Sequence, residues 1–140
     1  MGKINFGRVL LGGLFAGLLL NIGEFVLNEK VLGAQMKTFF AEHKFVDPGS
    51  NFIILAVGLT FILGIVIVWG YACIRPRLGP GVKTALIAGF FAWFGIYLYC
   101  GIINGVLFGI PMNAMILLLV WGLVEYAIAA VGGAWLYKEA

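Results

Sequence analysis

Four apolar runs, each long enough to cross a lipid bilayer, take up most of this 140-residue chain. A helix needs about 20 apolar residues to cross a hydrocarbon core about 30 Å thick. Charged residues make up only 11% of the sequence, against about 25% in a soluble domain, which leaves no polar coat for a water-facing surface. The fold class that follows is all-α: a polytopic membrane protein with four transmembrane helices in an antiparallel bundle. The spans are expected at about 8–28, 51–74, 84–108 and 112–137, within a single domain covering 1–140. Lys3 and Arg8 ahead of the first run imitate a signal peptide, but the run is too long and lacks a small-x-small cleavage site. It is read as an uncleaved first span.

Charge placement predicts orientation. If the N-terminus is cytoplasmic, Lys3, Arg8, Arg75, Arg77, Lys83 and Lys138 all lie inside, and Lys30, Lys37 and Lys44 lie outside, offset by Glu29, Glu42 and Asp47. The larger basic count then faces the cytoplasm, so both termini are expected there (N-in/C-in). Arg75, Arg77 and Lys83 read as a topological anchor, or alternatively as a site for anionic lipid head groups. The basic residues flank spans and form no patch with interleaved aromatics, so nucleic acid is not an expected partner.

Between the first two spans, Leu32, Met36, Phe39 and Phe40 recur at helical spacing among polar residues, an interfacial amphipathic segment over 31–45. Asp47 to Asn51 then offers a chain break with an N-cap and a proline. Arg75-Pro76-Arg77-Leu78-Gly79-Pro80-Gly81 reads as a tight basic turn, because its prolines oppose helix continuation. Cys73 and Cys100 differ in expected depth by about 20 Å, too far for a disulfide. They are expected to be free, buried and hydrophobic in behaviour.

Two stretches carry a resemblance: Gly12-Gly13-Leu14-Phe15-Ala16-Gly17 with Asn21-Ile22-Gly23-Glu24-Phe25-Val26-Leu27-Asn28, and Ile74 to Ala85 around the basic turn. With the closing Trp121-Gly122-Leu123-Val124-Glu125, they make the chain resemble small uncharacterised bacterial four-helix integral membrane proteins. The resemblance implies a multi-pass protein of the bacterial inner membrane and brings no catalytic signature.

The most informative residues are two carboxylates inside spans, Glu24 in the first and Glu125 in the last. Ionisable groups in a bilayer are costly and face the bundle interior, where they pair. No basic residue lies within the spans to neutralise them, so both are expected to be neutral. Counted from the helix ends at 1.5 Å per residue, Asn21, Glu24, Thr60, Tyr97 and Glu125 fall at similar depth, with Asn104 about a turn further out and Asn28 above Glu24. One intramembrane polar cluster is therefore expected. Its neutral members, Asn21, Asn28, Thr60 and Asn104, are read first as packing contacts.

Small residues let helices approach closely. Gly13 and Gly17 share a face of the first helix with Asn21, Glu24 and Asn28, within about an 80° arc. Gly101, Gly105 and Gly109 form a ladder on the third, and Gly122 and Gly132 flank Glu125 on the fourth. These seven glycines are the expected packing positions.

The spans offer no histidine for haem, no zinc-ligand spacing, no nucleophile beside a base and no phosphate-binding glycine loop. The only histidine, His43, falls in the first connecting segment. No enzyme, metal or cofactor is expected. The leading functional expectation is an accessory or scaffold subunit, packing through its glycine-lined faces as a homo-oligomer or within a larger membrane complex. The runner-up is a small proton- or cation-coupled transporter or channel using Glu125 and Glu24. A lipid- or quinone-binding protein is the weaker alternative.

Overall fold

In a computed structural model of the chain, which describes residues 2–139, every regular element among the described residues is helical. Helix α1 (Phe6–Phe25) runs on through a π-helical segment, Val26–Val31, to the short α2 (Gly33–Glu42). Helix α3 (Ser50–Leu78) follows, then α4 (Val82–Trp93), a second π-helical segment at Phe94–Tyr99, and α5 (Cys100–Phe108). The chain closes with α6 (Met112–Leu136). Four continuous stretches are long and apolar enough to cross a membrane: Phe6–Val31, Ser50–Leu78, Val82–Phe108 and Met112–Leu136. They overlay the runs read from the sequence, and α2 occupies the expected amphipathic segment.

Residues are sorted by size rather than polarity. Lipid tails are as apolar as leucine, so burying a large side chain gains little, whereas small residues let backbones meet. Accordingly Ile54, Phe91, Val106 and Leu107 point outward, and the interior holds Ala16, Ala72, Ala85, Ala129 and Ala130 around Leu20 and Val68. Helix α1 makes its broadest contact with α3 and packs also on α6, while α4 lies against α6 and α3. At the crossing of α1 and α3, a Cβ added at Gly17 would sit 2.8 Å from the Phe61 Cα, and one at Gly64 would sit 2.7 Å from the Gly17 Cα. Gly12 and Gly133 meet in the same way between α1 and α6.

Several local expectations need correction. Helix α3 does not stop before the basic turn: it carries Pro76 in its last turns and ends at Gly79, whose φ is +84°. So near the C-terminus the proline forfeits one hydrogen bond, and positive-φ Gly79 and Gly81 make the actual break. Asp47 does not cap α3; its carboxylate accepts the Gly49 N–H at 2.8 Å and shapes the turn before it. The cap that does form is at the other terminus, where Asn5 accepts the Arg8 N–H at 3.1 Å and opens α1. Cys73 and Cys100 are free, as expected, but both are exposed on the outer surface instead of buried.

The glycine ladder on the third span also dissolves. Only Gly105 is buried, against the flexible Met115 thioether. Gly101 has ordinary contact with Leu119, and Gly109 is a left-handed cap at φ +72° with nothing near it. The three glycines share one side of the helix, but the neighbouring α6 reaches closely only to Gly105, and Gly109 has already left the helix.

Candidate functional site

Glu24 and Glu125 come together between α1 and α6. Gly23, beside Glu24, leaves the room: a Cβ there would sit 2.8 Å from the Glu125 Cδ. The two carboxyl groups are direct neighbours, and Glu125 is only 7% exposed. Tyr97 reaches in from the third span and donates its hydroxyl hydrogen bond to Glu24 Oε1. Its ring lies over Gly122, where a Cβ would fall 2.6 Å from Tyr97 Cγ, and Tyr126 meets it edge-on at 5.3 Å.

Glu24 and Glu125 are treated differently by their surroundings. Glu24 accepts from Tyr97 and, through Oε2, from the Asn28 side-chain N–H at 3.1 Å. Glu125 accepts from nothing: both its oxygens are buried without a hydrogen-bond partner among the described residues. The Trp121 indole N–H, one turn away and close to the Glu125 carboxyl, is directed to the Gly23 carbonyl at 3.2 Å. Buried polar atoms are nearly always paired, so the Glu125 carboxyl is an exception in this apolar core.

Both π-helical segments border this cluster. Asn28 lies within Val26–Val31, and Tyr97 lies within Phe94–Tyr99. A π turn takes an extra residue and re-aims the side chains around it, and such turns recur at functional sites. Here they turn Asn28 and Tyr97 toward one carboxylate from two different spans.

The expected seven-residue cluster therefore contracts. Glu24, Asn28, Tyr97 and Glu125 are brought together. Asn21 instead donates to the Gly17 carbonyl at 3.0 Å, Thr60 to Ala56 at 2.7 Å and Asn104 to Cys100 at 2.8 Å, each one turn back on its own helix. Short polar side chains satisfy themselves locally in this way when no neighbour is within reach. Glu125 bonds neither Tyr97 nor Asn21, because Tyr97 is engaged by Glu24 and Asn21 by the Gly17 carbonyl. Among the packing glycines, Gly132 meets only Leu19 and Phe15 side chains, and its neighbour Gly133 makes the backbone contact. Gly12, Gly23, Gly64, Gly89, Gly133, Trp121 and Tyr126 were missing from the expected set. Trp121 was legible in principle, since residues four apart on a helix are neighbours.

The opposite end gathers both termini and the α3–α4 turn. Arg75 pairs with Glu139 at 2.9 Å and lies 5.7 Å from the Tyr137 ring centre. Tyr137 meets Tyr71 edge-on at 5.9 Å and accepts the Asn5 N–H, while Tyr71 accepts the Gly81 N–H at 3.2 Å. Arg77 and Lys83 stay exposed, so the expected basic trio is divided, with Arg75 engaged inside the chain. His43 stacks among Phe39 and Phe45 beyond α2 and bonds the Phe39 carbonyl at 2.9 Å.

No protein-family model, curated protein or solved structure matches the chain.

Proposed function

We propose that this chain is a non-enzymatic multi-pass membrane protein that binds an ion at the Glu24–Glu125 pair, a small proton- or cation-coupled transporter. The observation that carries this reading is the orphaned Glu125 carboxyl, 7% exposed with neither oxygen bonded. Its carboxyl neighbour across the helix contact is another acid, so the two can hydrogen-bond only when a proton is held between them. The accessory-subunit reading loses support from the same coordinates. The glycines proposed as docking faces, Gly13 and Gly17 foremost, lie against α3 of their own chain.

The pairing of Asn5 with Tyr137, Gly12 with Gly133 and Gly23 with Glu125 supports an antiparallel course for α1 and α6. The positive-inside count supports a cytoplasmic location for the end that holds Arg75, Arg77 and Lys83, and so N-in/C-in in a bacterial inner membrane. An impermeant thiol reagent should label a cysteine introduced at Lys37 from outside intact cells, and one at Arg77 only after lysis. Labelling of the position 77 cysteine in intact cells reverses the orientation. A path across the membrane would be completed by a second copy or a larger complex.

Ion binding is tested on purified protein. Proton uptake after a pH step, read with an indicator dye, and calorimetry with sodium and calcium should reveal binding in the parent chain. That binding should vanish in Glu125→Gln, which keeps the shape and the melting temperature. If neither probe distinguishes the two proteins, and Glu125→Leu merely loses about 1 kcal/mol of helix contact, the carboxyl is a packing residue and the ion-binding reading fails.

A further inference from the structure

The ion-binding reading leaves open which ion binds and from which side, and the geometry bears on both. Three features outside the bare pairing of two acids bear on the choice. Neither carboxylate can donate to the other while both are charged, and the Trp121 indole beside Glu125 is directed to the Gly23 carbonyl. Glu24 already receives two donors, Tyr97 and Asn28. A single proton on Glu125, directed at Glu24, gives the orphaned group a partner and removes the repulsion at once.

A metal ion fits less well. Calcium takes six to eight oxygens, and among the described residues no group of three or more His, Cys, Asp or Glu side chains gathers anywhere. The nearby Gly23 carbonyl is already bonded to Trp121. The ionisable groups facing Glu125 are Glu24 from α1, Tyr97 from the third span and Tyr126 from α6. Helix α3 carries none between Ser50 and Gly70.

Access is one-sided. Toward α2, Glu24 is half-buried, and Asn28, which bonds it, is exposed beside Glu29 and Lys30. Toward the termini, after Tyr126 beside the pair, α6 buries no further polar side chain, and the next buried one is Tyr137 just past its end, about 16 Å further along. The interval is closed by Gly12 on Gly133 and by Ala16, Ala129, Ala130 and Val68. We propose that Glu24 and Glu125 hold one exchangeable proton between them, taken up and released through the α2 end of the bundle alone. This rests on the ion-binding reading and narrows it: in this conformation the site is a proton-binding station open to one compartment, with no conduit past it.

Infrared difference spectroscopy on the reconstituted protein tests the ligand. A pH step should produce a protonated-carboxyl C=O band that is lost in Glu125→Gln and shifted but retained in Glu24→Gln. A band lost in Glu24→Gln and retained in Glu125→Gln overturns the assignment. Sodium or calcium binding that abolishes the band overturns the proton while leaving the ion-binding reading intact. No band and no cation binding removes both. For sidedness, vesicles of known protein orientation are given a pH step on one side, with tryptophan emission recorded and a Trp121→Phe control. The response should be immediate from the α2 side, and from the termini side should require an added protonophore. An immediate response from the termini side overturns one-sided access.

Discussion

Gly64→Leu is expected to break the contact between α1 and α3, so that little monodisperse protein survives extraction into mild detergent. A Cβ at position 64 meets the Gly13 carbonyl oxygen and the Gly17 N and Cα, with the last at 2.7 Å. All three are backbone atoms, so no rotamer change relieves the overlap and the helices must separate. Overpacking that side chains can absorb costs about 1–3 kcal/mol, and this change should exceed that range. Gly58, on the same helix with nothing within 4 Å, supplies the control. Gly58→Leu should be neutral or stabilising by up to about 1 kcal/mol through helix propensity. Equal behaviour of the two variants in fluorescence-detected size exclusion would show that α1 and α3 do not meet through these glycines.

Leu20→Ala should be the next most damaging single change. Leu20 is fully buried in the core that α1, α3 and α6 share. In water such a truncation costs about 2–5 kcal/mol, part transfer and part cavity. In a bilayer the separated helix still holds Leu20 in hydrocarbon, so most of the transfer part drops out and the lost packing remains. The expected loss is therefore about 1–3 kcal/mol. Leu10→Ala on the same helix, at a position 51% exposed, should change stability by less than about 0.5 kcal/mol. Denaturation of the reconstituted protein by a titrated harsh detergent measures both. A Leu10 effect as large as that of Leu20 would mean that α1 presents the opposite face to its partners.

Some of this architecture is written in the sequence alone. The spans follow from uninterrupted apolar length, which needs no partner to interpret, and the amphipathic segment before Asp47 was visible in its spacing. That Glu24 and Glu125 are the exceptional residues follows from the cost of a carboxyl in hydrocarbon. The close approach of Gly13 and Gly17 was legible because glycine is the residue that permits it.

What the linear order withholds is phase. Counting at 100° per residue assumes one regular helix, and π segments at Val26–Val31 and Phe94–Tyr99 break that count in two spans. The pairing of Tyr97 with Glu24 could not be foreseen for this reason, and the Gly101–Gly109 ladder failed because spacing alone does not show which partner reaches it. Depth alone placed Asn21, Thr60 and Asn104 beside the carboxyls, but each bonds a carbonyl one turn back on its own helix. The amino-acid sequence by itself determined the four apolar helices and the two acids that do not belong among them, because both are properties of local composition against a lipid solvent. Only the tertiary structure decided that those acids face each other across Gly23 and that one of them makes no hydrogen bond among the described residues, because that depends on how two helices are rotated against each other.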